Sequence, residues 1–245
     1  MTSRWMPAFA GLLLTLSLTA PATAGVLRPY VRFDYGGSEM RMNDADAIIH
    51  QNQTAVRAMG YPADYRNIGS GYGPSGSAGL WLFGGLRVGT TWMRMRAIRS
   101  NMTHVPGSYF FEQDLNLSMT EIGGEAAMRF EKLAGLTFGA NVGRGKARVV
   151  EGIGEEAPGY AFYEDATAER TVPTYGGWVG LDQTNSRGGA GFIRAGFAYR
   201  EIGHMPSTVT QSDGVNSVTF KSQTKWADFT GWYVKVGMGF DLVRN

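Results

Sequence analysis

Three histidines, His50, His104 and His204, are the side chains of this 245-residue chain best suited to proton transfer near neutral pH. Serines and carboxylates such as Ser100, Glu112 and Ser207 stand near them in the sequence, so a nucleophile activated by a base and a carboxylate is one chemistry to consider. Such a triad needs hydrogen-bond reach, which spacing alone does not supply. A second candidate is the acidic run Glu151, Glu155, Glu156, Glu164, Asp165 and Glu169. Ca²⁺ takes six to eight oxygens, but the run lacks the alternation and turn glycine of an EF-hand and reads as a solvated acidic loop. Cysteine is absent, which excludes disulfides, thiol catalysis and thiolate metal sites. A net charge of +2 does not suggest a nucleic-acid binder. No catalytic residue, metal or cofactor is assigned from these patterns.

The elements that must position these residues are strands. In WADFTGWYVKVGMGFDL, Trp226 to Leu242, residues Thr230, Trp232, Val234, Val236, Met238, Phe240 and Leu242 share one face. Gly231, Tyr233, Lys235, Gly237, Gly239 and Asp241 share the other, a period of two. A continuous apolar stripe backed by glycines and charges suits a wall with lipid outside and a polar interior. The same alternation is read at Val26–Gly37, Ser77–Arg87, Thr90–Arg99, Leu117–Glu131, Leu136–Val150, Val172–Asp182 and Gly189–Ile202. Short turns are expected around Val88-Gly89, at Lys132–Gly135 and at Gln183–Gly188. Long connections are expected at Ser38–Gly76, Ser100–Asn116, Glu151–Thr171 and Gly203–Lys225.

The first connection holds one predicted helix, capped by Asn43 or Asp44, with Ala45, Ile48, Ile49, Val56 and Met59 as its stripe and Gly60 as its stop. The last contains an Asp213-Gly214 turn, and a ten-stranded wall results if Ser207 to Ser222 joins it. Alternating short and long connections between eight strands near or above the 9 to 11 residues needed to span a bilayer define an all-β, eight-stranded antiparallel transmembrane barrel. Mean hydropathy of −0.18 is compatible with this, because alternate residues face a polar interior.

Residues 1–24 read as a signal peptide: Arg4 in the n-region, Ala8–Thr19 as the h-region and Ala22-Thr23-Ala24 before cleavage at Gly25. Residues 25–245 are then the barrel. With this leader, the hairpins GLWLFGGLRVGTTWMRMR and IGGEAAMRFEKLAGLTFGANVG, and the strand KVGMGF, the chain resembles the small OmpA-like and OmpX-like outer-membrane barrels. The resemblance implies a Gram-negative outer membrane, lipopolysaccharide and lipid as surroundings, insertion by the barrel-assembly machinery, and an extracellular ligand or surface partner met through the loops.

An eight-stranded lumen is just wide enough to be filled by side chains. Arg32, Asp34, Arg94, Arg96, Glu121, Glu125, Arg129, Arg194, Arg200 and Lys235 are expected to fill it as an ion-pair network, with Asp241 as a further member. The histidines fall in expected extracellular loops. Tyr109, Phe110 and Phe111, with Tyr160, Phe162 and Tyr163, either meet partners or headgroups or pack loop on loop. The leading expectation is a non-enzymatic envelope-structural or adhesion-type surface protein. A lipid A-modifying enzyme at the extracellular rim comes second, although no motif of the known palmitoyltransferases, deacylases or omptins is present, and a narrow solute channel comes third.

Overall fold

Strands that alternate apolar and polar residues bury their backbone polar groups in lipid only if the sheet closes on itself. In the computed structural model the ring closes. The structure describes residues 27–39, 43–82, 85–185 and 188–241, without the side chains of 43–45 and 223–227. The expected signal peptide, the residues from Leu242 onward and the side chains of the expected helix caps lie outside the described residues.

The strands are β1 (Arg28–Glu39), β2 (Ser70–Trp81), β3 (Leu86–Val105), β4 (Tyr109–Phe130), β5 (Leu136–Ala157), β6 (Tyr160–Thr184), β7 (Gly189–Tyr199), β8 (Glu201–Ser212), β9 (Ser217–Asp228) and β10 (Gly231–Asp241), with helix α1 at Asn43–Ala58 between β1 and β2. Antiparallel pairing runs β1–β2–β3–β4–β5–β6–β7–β10 and returns to β1, from Tyr30↔Asp241 to Ser38↔Tyr233. The ring has eight strands. β8 and β9 do not enter it: β8 pairs with the first part of β6, from Tyr163 to Ala168, while β7 pairs with its last part, from Tyr175 to Thr184. The hairpin around Asp213-Gly214 therefore extends the wall at the long-loop end without widening the ring.

The outer face of the ring is apolar. On β10 Trp232, Val234, Val236, Met238 and Phe240 are all exposed, joined by Phe33 and Tyr35 of β1, Ile193 and Phe197 of β7, and Phe138 and Val142 of β5. Tyr35, Tyr72, Trp92, Tyr175 and Trp232 lie toward the long-loop end of this band, where amphipathic rings suit a membrane interface. The architecture is that of a transmembrane β-barrel.

The structure departs from the sequence reading in three places. β2 ends at Trp81 and β3 begins at Leu86, just after Gly85 with φ +82°, so Val88-Gly89 is strand and not the turn. Gly89 is a close-approach glycine inside β3: a Cβ there would collide with the Ala78 carbonyl and the Tyr30 hydroxyl. Most of the second and third expected loops is strand, because β3 and β4 pair up to Val105↔Tyr109 and β5 and β6 up to Ala157↔Tyr160. Finally, the expected strands Gly189–Ile202 and Trp226–Leu242 are each interrupted. The breaks face each other: Arg200 N–H donates to Thr230 Oγ1 at 2.9 Å, and Phe229 N–H donates to Arg200 O at 3.2 Å.

The helix forms where expected and stops at Gly60, whose φ is +87°. Ile49 and Val56 are buried, whereas Met59 of the expected stripe is exposed. Val236 sits mid-band on the outer face of β10, so Val236→Arg should cost about 2–4 kcal/mol in reversible urea unfolding from vesicles. Val215→Arg at the β8–β9 tip should stay within about 0.5 kcal/mol, and equal costs at the two positions would contradict the lipid-facing assignment.

Candidate functional site

The inward face divides into two storeys. Toward the short turns it is charged. Arg32 reaches Asp241 at 3.1 Å and Asp182 at 3.6 Å; Arg87 reaches Asp182 at 2.9 Å and Glu125 at 3.2 Å. Arg194 lies 3.5 Å from Glu125, Arg200 2.8 Å from Glu121, and Lys235 3.6 Å from Asp34. Five cations thus meet five carboxylates, all but Lys235 and Asp241 nearly inaccessible. Aromatic rings pack among them: the Arg194 guanidinium stands 4.4 Å from the Trp178 ring and 4.2 Å from Phe192, and Arg87 stands between Tyr30, Trp81 and Trp178. Stacked guanidiniums are a use of arginine that lysine does not reproduce. Arg129 lies near the short-turn end and donates to Thr184 Oγ1 at 3.0 Å.

Two of the expected members are elsewhere. Arg94 and Arg96 point outward with Trp92, while Met93, Met95 and Ala97 point in. Arg87 is the inward arginine of β3, and seven residues separate it from Arg94, so an unbroken pleat puts them on opposite faces. The turn expected at Val88-Gly89 hid that parity. Arg87 was thereby missed as a network member; Asp182 was missed as well, although its inward face follows from counting along β6.

Within the layer, Lys235 Nζ donates to Ser75 Oγ at 2.9 Å, and Ser75 in turn donates to Asp34. Serine with lysine resembles a nucleophile–base pair. The adjoining cavity, lined by Asp34, Ser75, Arg194, Arg200, Tyr233 and Lys235, has a volume of about 40 Å³, room for a few waters and no substrate. The contact belongs to the network.

Toward the long-loop end the inward face becomes apolar. Met93, Met95, Leu115, Leu117, Met119, Ala147, Val149, Val172, Ile202, Met205 and Phe229 form one buried cluster with Ile49 and Val56 of α1 and with Tyr65 and Ile68 beyond it. Each fully buried aliphatic side chain contributes about 1.5–3 kcal/mol. The segment after α1 is also tied by polar contacts to the inner face of β3. Asn101 Oδ1 accepts from Arg66 N–H at 2.9 Å, Thr103 Oγ1 donates to Pro62 O at 3.0 Å, and the Tyr65 hydroxyl meets Thr103 Oγ1 at 3.0 Å. Tyr61 stacks on Tyr109 with centroids 4.5 Å apart, and Tyr65 stacks on Phe111 at 5.5 Å.

Tyr109 and Phe111 are therefore loop-packing residues, and Phe110 is half-buried against His104. Burial, with the Glu155 carboxylate accepting its hydrogen bond, holds the Tyr109 phenol well above its ordinary range, so it stays a donor. Tyr160 and Tyr163 are exposed.

The histidines are not brought together. His50 is on α1, His104 near the end of β3 and His204 on β8; all are exposed, and none contacts a serine hydroxyl and a carboxylate among the described residues. The acidic residues are likewise dispersed along β5 and β6. Glu151 is buried and accepts from Gln113 at 3.0 Å, Glu164 accepts from Gln211 at 2.8 Å, and Glu169 lies 2.7 Å from Lys146, whose hydrogen bond holds that carboxyl below its usual range. No group of three metal-ligating side chains occurs among the described residues.

An apolar outer band, a side-chain-filled lumen and short turns at one end define a small outer-membrane-type β-barrel. No family model and no curated protein matches the chain. Among solved structures it is similar to Neisserial surface protein A (NspA), at 14% identity and a TM-score of 0.39, covering 87% of this chain and 97% of that one. It is also similar to CarO2 of Acinetobacter baumannii, at 10% identity and a TM-score of 0.39, covering 89% and 100%. At these values no residue role carries over, and the architecture rests on the strand pairing.

Breaking a buried ion pair from one side leaves an uncompensated charge, so Arg87→Met should destabilise the folded barrel by about 3–5 kcal/mol. Arg94→Met, outward and exposed, should cost under about 1 kcal/mol, and the reverse order in urea titrations would invert the assigned faces. Removing α1 opens the apolar storey but leaves the ionic one in place. A chain lacking residues 43–58 should thus give no stable openings in planar bilayers, and sustained conductance would show that the helix alone seals the lumen.

Proposed function

We propose that this chain is a non-enzymatic surface protein of a Gram-negative outer membrane, an OmpA-like or OmpX-like small barrel exported by residues 1–24 and inserted by the barrel-assembly machinery. The observation that carries the reading is the doubly sealed lumen. An ionic layer of five cations paired with five carboxylates and an apolar layer lie in series, so what the protein offers its surroundings is its outer surface and its tips. The tips are held on paired strands: the β3–β4 turn at residues 106–108, the β5–β6 turn at 158–159 and the β8–β9 turn at 213–216. Tyr160 is exposed beside the β5–β6 turn, and Val215 and Val218 at the β8–β9 turn. Rigid tips suit adhesion-type contact with a surface partner, and a filled barrel suits an envelope-structural role.

A strain lacking the protein, complemented by the whole chain or by a chain with residues 213–216 shortened, separates these roles. Detergent sensitivity rescued by both chains identifies the envelope role. Cell binding to a surface that only the whole chain restores identifies the adhesion role. Lipid A mass spectra should be identical across all strains, and an acyl pattern that follows the protein would overturn the non-enzymatic reading in favour of a lipid A-modifying enzyme.

A further inference from the structure

The outward cations that the lumen did not absorb form a pattern of their own. Beyond Trp92 on β3 the outer face carries Arg94 and Arg96; beyond Val142 on β5 it carries Arg144, Lys146 and Arg148, all exposed. Strand pairing fixes their relation. Arg94, Thr120, Lys146 and Thr171 lie on one rung across β3, β4, β5 and β6, and Arg96, Ser118, Arg148 and Glu169 lie on the next. The positions of β4 between the two cationic strands are thus small hydroxyl residues. With neighbouring strands about 4.8 Å apart, the result is a shallow trough roughly 10 Å wide, with cations on both banks and hydroxyls along its floor.

The charge of this surface is not internally neutralised. Among the described residues Glu169 is the one carboxylate within salt-bridge reach, at 2.7 Å from Lys146 and 3.4 Å from Arg148. Arg96 donates to Asn116 Oδ1 at 3.0 Å, a neutral partner, and Arg94 and Arg144 make no ion pair among the described residues. Among the described residues five cations therefore face one carboxylate at the upper edge of an apolar band, Arg144 on the rung of Trp92 and Ile122 and the other four on the two rungs above. In water, an exposed cationic patch is a general solvated face. At the upper edge of a lipid-facing band, the groups that meet it are lipid headgroups, and the matching chemistry is phosphate, which arginine holds with paired N–H donors.

We infer that the outer face of β3–β5, through Arg94, Arg96, Arg144, Lys146 and Arg148, binds the phosphorylated headgroup of an outer-leaflet glycolipid whose acyl chains lie along the apolar band below. The more than one phosphate of such a headgroup matches cations on two banks, and its sugar hydroxyls match Ser118 and Thr120. Glu169 limits the charge at the β6 side, directing the phosphates toward β3 and the lower part of β5. The inference rests on the outer-leaflet placement proposed above.

The test is native mass spectrometry of the full folded chain in detergent, offered bisphosphorylated lipid A, its dephosphorylated counterpart, or phosphatidylethanolamine. The intact protein should retain the bisphosphorylated lipid in preference to the other two. One cation at an anionic lipid surface is worth about fivefold in affinity, so Arg94→Gln with Arg144→Gln should weaken retention at least about tenfold. Lys221→Gln, on β9 and outside the trough, should leave it unchanged. Retention of dephosphorylated lipid to the same extent, or undiminished binding by the double variant, would overturn the inference. Heat-dependent gel mobility of each sample reports the barrel separately. A wild-type chain without that mobility shift refutes the membrane placement, whereas a shifted barrel indifferent to phosphate refutes the headgroup site alone.

Discussion

The parity of the pleat governs this structure. Along an unbroken strand every residue's face is set by counting from any other, and β3 to β6 each run 20 to 25 residues through two environments without losing count. The sequence must therefore exchange its polarity along the strand, because the backbone does not rotate to compensate. On β4 the inward residues pass from Glu125 and Glu121 to Met119, Leu117 and Leu115 as the outward ones pass from Ala126 and Ile122 to Thr120 and Ser118. On β5 outward Phe138, Ala140 and Val142 give way to Arg144, Lys146 and Arg148, while inward Asn141 gives way to Ala147 and Val149. One pleat makes a lipid-solvated wall below and a water-solvated one above.

The ionic layer gives this parity its energetic force. A buried ion pair adds little net stability over a well-packed apolar pair, because desolvation offsets its attraction. Its effect is on alternatives. A one-residue slip of β1 would move Arg32 and Asp34 into lipid and Val31 and Phe33 into the lumen, leaving Asp241 and Lys235 without their ion-pair partners and Asp182 with Arg87 alone. Arg32 also joins sequence-distant strands, contacting Asp182 on β6 and Asp241 on β10, while the Trp81 indole of β2 donates to the same Asp241 at 2.9 Å. The last strand is thus held by side chains as well as by its backbone pairing with β1.

The barrel was legible where lipid meets the wall, because there the apolar stripe and the charged stripe of β1, β4, β7 and β10 identify both face and solvent. It was illegible above the band for a physical reason. A strand with Arg94 and Arg96 outside and Met93 and Met95 inside has the alternation of a barrel with the polarity of a soluble sheet, and a rule that sends apolar residues outward reads it as loop or turns it over. Charge alone placed Arg94 and Arg96 in the lumen; parity places them on the outside. Tyr109 and Phe111 illustrate the same ambiguity, since contact with a partner and packing against Tyr61 and Tyr65 demand the same residue types.

Inverted polarity also explains why the first connection is long and holds a helix. Above the ring the sheet is no longer closed: β2 pairs with β3 only as far as Tyr72↔Arg96, and the sheet order ends at β9. Six strands, β3 to β6 with β8 and β9, curve around an apolar inner face that would otherwise meet water. Helix α1 lies against β9, and the chain from Tyr61 to Ile68 lies along the inner face of β3, so this one connection spans the two edges of the open sheet and supplies its missing core. Residues committed to that role are withdrawn from recognition. What remains available to the surroundings is the reverse of the same pleat: the cationic outer face of β3 to β5 and the strand-borne tips above it.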